Sequence, residues 1–134
     1  MFKLIKIENS GVNVPEPVTV RKEPHDTFKA GSAISIEDGV AANCGAYIRP
    51  TYIAAADGKD NSETMLCYTI TENMLFEVSA DMPVDNFLVG MKLSLSIDDD
   101  GEAVGVSDES EDGVAILVDF IDLNDTFSKL IVKF

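Results

Sequence analysis

The chain has 134 residues, 46% of them apolar and 25% charged, with a formal net charge of −14 at pH 7. This length sets one domain that buries roughly two thirds of its unfolded surface, and the apolar share excludes wholesale disorder. No apolar run approaches the ~18 residues that span a bilayer. The charge is unevenly placed: 1–67 carry seven bases and nine acids, whereas 68–134 carry three bases and fifteen acids. Eight acids and no base fall between Asp98 and Asp112. Such a field repels phosphate backbones and acidic membrane surfaces, and no cluster of Arg or Lys offsets it. Nucleic acid and membrane are thereby set aside as partners, leaving a solubility role or a basic partner surface.

In chain order, Met1-Phe2-Lys3-Leu4-Ile5-Lys6-Ile7-Glu8 reads as a short alternating strand, near 2–8, with lysines on its polar face. It lacks the long apolar core and small-residue cleavage site of a signal peptide, so the expectation is a soluble, intracellularly made protein. Val14-Pro15-Glu16-Pro17 forbids helix and favours an extended approach to a β-branched strand at 17–22. Next comes Ala30-Gly31-Ser32-Ala33-Ile34-Ser35-Ile36-Glu37-Asp38-Gly39-Val40-Ala41, a period-two strand (33–37), an Asp-Gly turn and a return strand. A strand is expected at 47–55. Ala41-Ala42-Asn43 and Ile53-Ala54-Ala55-Ala56 favour helix by propensity, but both are too short to stand without packing.

Strands at 65–71 and 74–79 read as a hairpin with Glu72-Asn73 at its tip, and one or two helical turns are expected at most, around Pro83-Val84-Asp85-Asn86. Val89-Gly90-Met91-Lys92-Leu93-Ser94-Leu95-Ser96-Ile97-Asp98-Asp99-Asp100-Gly101-Glu102-Ala103-Val104 repeats the earlier hairpin with a longer strand and a more acidic turn, giving strands at 91–98 and 102–106. Ala115-Ile116-Leu117-Val118-Asp119-Phe120-Ile121, within 113–121, is a near-continuous apolar run, as expected of a strand buried on both faces. A final strand is read at 127–133. The fold expected is all-β: a small barrel or sandwich of short antiparallel strands with an extended, Pro-containing N-terminal segment. Residues 1–24 form an N-terminal extended arm or an edge strand, and 25–134 a single β-domain.

Residue chemistry points to no catalytic, cofactor or metal site. His25, the only imidazole, stands beside Asp26 as a general base would, but no Ser or Cys lies in a nucleophile motif. Asp98-Asp99-Asp100-Gly101-Glu102 superficially resembles a Ca²⁺ loop. It lacks the spaced ligands and distal Glu of an EF-hand, so a solvated hairpin tip is expected, with 98–112 exposed at one end of the molecule. Gly31 and Gly90 are followed by neither Lys-Ser/Thr nor a helix, and read as tight lead-ins to strands, not phosphate loops. Cys44 and Cys67 show no metal spacing and read as two free thiols in a reducing cytoplasm; a disulfide would need their Cα atoms within about 7 Å.

The order of motifs carries a resemblance. The Pro-rich N-terminal segment, the Ala30–Ala41 strand pair, Pro50-Thr51-Tyr52-Ile53, Tyr68-Thr69-Ile70-Thr71 with Leu75-Phe76-Glu77-Val78, Val89-Gly90-Met91-Lys92-Leu93 and the terminal Ile131-Val132-Lys133-Phe134 follow one another over about residues 14–134. That order is similar to the capsid decoration (head-stabilising) family, small accessory head proteins of phage and prophage structural operons. The resemblance implies a non-enzymatic β-domain made in the bacterial cytoplasm and carried on the virion. It would bind the major capsid protein on the outer face of the assembled capsid, often as a homotrimer, with no cofactor. It transfers no site residue. Five of the ten bases (Lys3, Lys6, Arg21, Lys22 and Lys29) fall within the first thirty positions, so a basic arm that adds a strand to a partner sheet is one reading of 1–24. An edge strand guarded by lysines is the other. Two further classes remain: another virion or tail structural component, and a ligand- or carbohydrate-binding β-sandwich. The latter needs an aromatic platform, yet there is no Trp, and Tyr47 and Tyr52 would face opposite sides of one strand.

Overall fold

The structure, a computed structural model, describes residues 1–8, 15–82, 87–108, 111–121 and 129–134. These form eleven strands and no helix: β1 (Lys3–Ile7), β2 (Val18–Arg21), β3 (Ala33–Glu37), β4 (Val40–Asn43), β5 (Tyr52–Ala54), β6 (Thr64–Thr69), β7 (Met74–Ser79), β8 (Lys92–Ile97), β9 (Ala103–Ser107), β10 (Ala115–Phe120) and β11 (Lys129–Lys133). The chain is all-β, as its alternation requires. The helical turn expected at 83–86, and positions 127–128 of the last expected strand, lie outside the described residues.

The opening hairpin forms as its turn chemistry dictates. Asp38 and Gly39 have φ of 51° and 81°, and Glu37 pairs with Val40 directly across them. Left-handed backbone at both central residues is the twist a two-residue hairpin needs. Ala41-Ala42-Asn43 is therefore strand, its helix propensity overridden by pairing with β3.

All strand pairs are antiparallel, in the order β1-β7-β11-β10-β8-β9-β3-β5-β6-β2, with β4 on the second edge of β3. The order bends at β8. Its first residues pair with β10, through Ala115↔Leu93, and Ser94 to Ile97 pair with β9. Each half curls without closing into a barrel, giving a sandwich-like sheet. On one side Ala80 meets Val106 in a single parallel bridge; on the other β2 lies beside β4. One residue pair, Ala33↔Ala103, joins β3 to β9.

Two apolar cores result. The larger holds Phe2, Phe76, Leu93, Leu117, Leu130, Val132 and Phe134 among others, with the Phe76 and Phe134 rings edge-on at 5.7 Å. The smaller holds Val20, Phe28, Ile34, Ala41, Ala54, Met65 and Cys67. Strands β3 and β5 serve both. Ala33 and Ile53 point to the first core, while Ile34 and Ala54 point to the second. The period of two thus explains why the adjacent pairs Ala33–Ile34 and Ile53–Ala54 are buried on both faces.

Three expectations need correction. The strands at 65–71 and 74–79 are not a hairpin. Met74 N–H does close a turn on Thr71 O, but β6 is already paired on both edges by β2 and β5, and β7 by β1 and β11. A strand has only two edges, so the turn carries the chain from one half of the sheet to the other. The strand expected at 47–55 shrinks to Tyr52–Ala54. Pro50, fully buried, cannot donate to a ladder, and Gly45 to Ile48 make a turn instead. Strand β10 is buried on one face, not two, since Ala115 and Leu117 are enclosed while Ile116 and Val118 are half-buried. In the N-terminal segment, β1 and β2 occupy opposite ends of the strand order, and Lys3 and Lys6 are exposed.

Candidate functional site

The most concentrated charge chemistry lies at the β8–β9 turn. Asp98 N–H donates to Glu102 O at 2.9 Å and Gly101 N–H to Asp98 O at 3.0 Å, closing the turn. The Asp98 carboxylate then caps it from within, Oδ1 accepting the N–H groups of Asp100 and Glu102. This leaves Oδ2 facing outward, where it meets Lys29 Nζ at 2.8 Å. Asp100 Oδ2 lies 2.7 Å from the same ammonium, and Glu102 Oε2 3.7 Å. Glu102 holds Lys29 twice, its Oε1 also accepting the Lys29 backbone N–H at 2.7 Å.

The hydrogen bonds to Asp100 and Asp98 raise the Lys29 ammonium above its ordinary range. Reciprocally, the Lys29 hydrogen bond, with the N–H groups of Glu102 and Asp100, lowers Asp98 below its usual 3.8.

This corrects the expectation of a solvated tip. Asp99 and Asp100 are exposed, but Asp98 is half-buried and Glu102 is only 4% exposed. The strand that follows is also largely enclosed, so 98–112 is not uniformly at the surface. The acid run that looked base-free has a base about seventy residues earlier in the chain. Asp98, Asp100 and Glu102 each offer an oxygen within 4.8 Å of the others, a set that could hold a metal. In this structure the cation they share is Lys29, and a metal ion would have to displace it.

The segment bearing Lys29 is fastened elsewhere too. Lys22, only 3% exposed, turns its ammonium onto the carbonyls of Glu23, Pro24 and Asp26 at 3.1, 3.1 and 2.7 Å. Asn61 N–H donates to Pro24 O, Phe28 and Gly58 exchange both backbone hydrogen bonds, and Ala30 N–H donates to Asp57 Oδ1. An open cleft of about 520 Å³ lies alongside, walled by Thr27, Lys29, Asp57, Asp100 and Glu102.

The sequence candidates do not converge on it. His25 meets Asp60 at 3.3 Å rather than Asp26, with its side chain 87% exposed. Cys44 and Cys67 are free and buried, and they belong to different cores. Burial pushes both thiols up to about 11, so neither is a nucleophile near neutral pH. Gly31 and Gly90 lead into β3 and β8 with φ of 86° and 90°. Tyr47 is exposed in the turn before Pro50 and shares no strand with Tyr52. Tyr52 faces Thr69, and Tyr68 faces Ile53, so Tyr52 and Tyr68 lie on opposite faces of the sheet and make no platform.

Sequence reasoning missed a pair of apolar turns beside β8. Leu88 and Val89 are 72% and 62% exposed, on a turn held by Gly90 N–H to Leu117 O and Met91 N–H to Leu88 O. Tyr47 and Ile48 are 54% and 53% exposed, on a turn whose Ala46 O accepts Leu95 N–H. No family model, no curated protein and no solved structure matches the chain.

Proposed function

We propose that this chain is a non-enzymatic phage structural protein that binds the outer surface of an assembled capsid and stabilises it. Its partner is the major capsid protein, its working form a homotrimer, and its place the virion surface. The observation that supports this reading is how the chain uses its functional groups. The one dense ionic cluster of the described residues ties the fold to itself, while large apolar side chains stand exposed on turns hydrogen-bonded to β10 and to β8. Rigid apolar anchors on an acidic body suit docking to a protein surface, since fully covered apolar side chains carry most of the energy of such contacts. The motif order set out above supplies the identity of that surface.

The test is co-sedimentation of the purified protein with cognate capsids that lack it. The native chain is expected to pellet with them in a saturable manner, and Leu88→Asp combined with Val89→Asp to weaken binding by at least about tenfold, a loss of ~1.4 kcal/mol. Absence of the native chain from the pellet would overturn the proposal.

A further inference from the structure

Residues 23–30 contribute one large apolar side chain to the smaller core, Phe28, 4% exposed. Glu23, His25, Asp26 and Thr27 around it are exposed. Hydrogen bonds and ion pairs hold the rest of the segment on two sides. It is tied to the loop ahead of β6 by Lys22 N–H to Glu63 O, Asn61 N–H to Pro24 O and the Phe28–Gly58 pair. It is tied to Asp57 through Ala30 N–H, and to the β8–β9 turn through Lys29. Lys29 reaches that turn in two ways: its N–H donates to Glu102 Oε1, and its ammonium pairs with Asp98 and Asp100 partly in water, with side-chain exposures of 43% for Lys29, 22% for Asp98 and 69% for Asp100.

We propose that 23–30 is a releasable strap over the smaller core, closed by the Lys29 clasp, and that its opening uncovers Cys67 while the larger core and Cys44 stay shut. The energetics of local opening favour this unit. Segments with few buried apolar contacts open at lower free energy than the whole molecule. Ion pairs between partly exposed charges weaken as the Debye length shrinks. Val20 pairs with Met65, and Cys67, two residues along β6, shares their face, in the same cluster as Phe28, whereas the larger core takes its side chains mainly from β7, β8, β10 and β11. The two thiols, one in each core, are built-in reporters of which core has opened.

The experiment labels the full-length protein with N-ethylmaleimide under native conditions and follows Cys44 and Cys67 separately by peptide mass mapping. In Lys29→Met, Cys67 is expected to label roughly three- to tenfold faster than in the native chain, with Cys44 unchanged. Raising ionic strength from about 0.05 M to about 0.5 M is expected to accelerate Cys67 in the native chain and to add little in Lys29→Met. Asp100→Asn, which leaves Asp98 and Glu102 in place, is expected to fall between the two. The native salt series and Asp100→Asn decide the matter even if Lys29→Met does not fold. Equal acceleration of both thiols, which reports global loosening, or no change at Cys67 in any arm, would overturn the proposal.

Discussion

Replacing Gly39 and Gly31 by alanine, one at a time, separates two costs that look alike in the sequence. Gly39 has φ of 81°, and nothing lies within 4 Å of where its Cβ would stand. The penalty is then the left-handed backbone alone, about 1–2 kcal/mol. Gly31 has φ of 86° and carries that same penalty, but its Cβ would also stand 2.9 Å from Met1 Cβ and 3.1 Å from Phe2 O. Met1 is exposed, but its Cβ moves only with its own backbone. Phe2 O cannot move alone, because Phe2 N–H donates to Gly31 O at 2.7 Å and the Phe2 ring is 2% exposed in the larger core. Shifting that backbone adds an overpacking cost of about 1–3 kcal/mol. Gly31→Ala is therefore expected to lose roughly 2–5 kcal/mol against about 1–2 for Gly39→Ala. Urea unfolding followed by circular dichroism reads both. With a slope of about 2 kcal/mol/M, Gly39→Ala should shift the midpoint by about 0.5–1 M and Gly31→Ala by about 1–2.5 M, at unchanged slope. Gly39→Asn should recover most of the loss, since Asn tolerates this conformation. Equal losses at the two positions, or a larger one at Gly39, would mean that the close approach of Phe2 O to Gly31 costs nothing.

Lys22→Met keeps the stem but removes the ammonium, leaving the Asp26 carbonyl without its 2.7 Å donor; a loss of about 1.5–3 kcal/mol in urea unfolding is expected, and a change below about 0.5 kcal/mol would contradict the role given to that cage. The clasp also predicts a pH dependence. Because the folded value of Asp98 lies below 3.8, its contribution is full above the ordinary carboxylate range and is lost as pH falls through the lowered value. Lys29 behaves oppositely, its contribution being present below 10.5 and lost as pH rises through its raised value. Urea midpoints measured from neutral pH downward should fall less steeply below pH 3.8 for Asp98→Asn than for the native chain, and parallel curves would contradict this.

Local chemistry was legible in the sequence wherever one turn or one strand decided it. Asp38-Gly39 requires both its residues left-handed, and it closes the hairpin that alternation on either side demands. What alternation does not encode is which edge a strand offers to which partner. Glu72-Asn73 makes its turn, but whether β6 and β7 pair across it depends on β2, β5, β1 and β11, all distant in sequence. The missing donor of Pro50 was a local signal, and it outranked the β-branched and aromatic residues around it.

The candidate site was half visible. Asp98, Asp100 and Glu102 recur at a spacing of two, which brings their carboxylates together on one side of the tip and calls for a shared cation. That this cation is Lys29, about seventy residues away, follows from the single Ala33↔Ala103 pair that sets β3 beside β9, a register no local pattern announces.

Capsid stabilisation shows itself in how long particles endure. Cognate capsids lacking this protein should be titrated with it and then heated or treated with chelator, with loss of intact particles measured by light scattering and sedimentation. Added protein is expected to saturate a fixed number of capsid sites, and saturated capsids to survive conditions that disrupt bare ones. Bare and titrated capsids that fail together would contradict it.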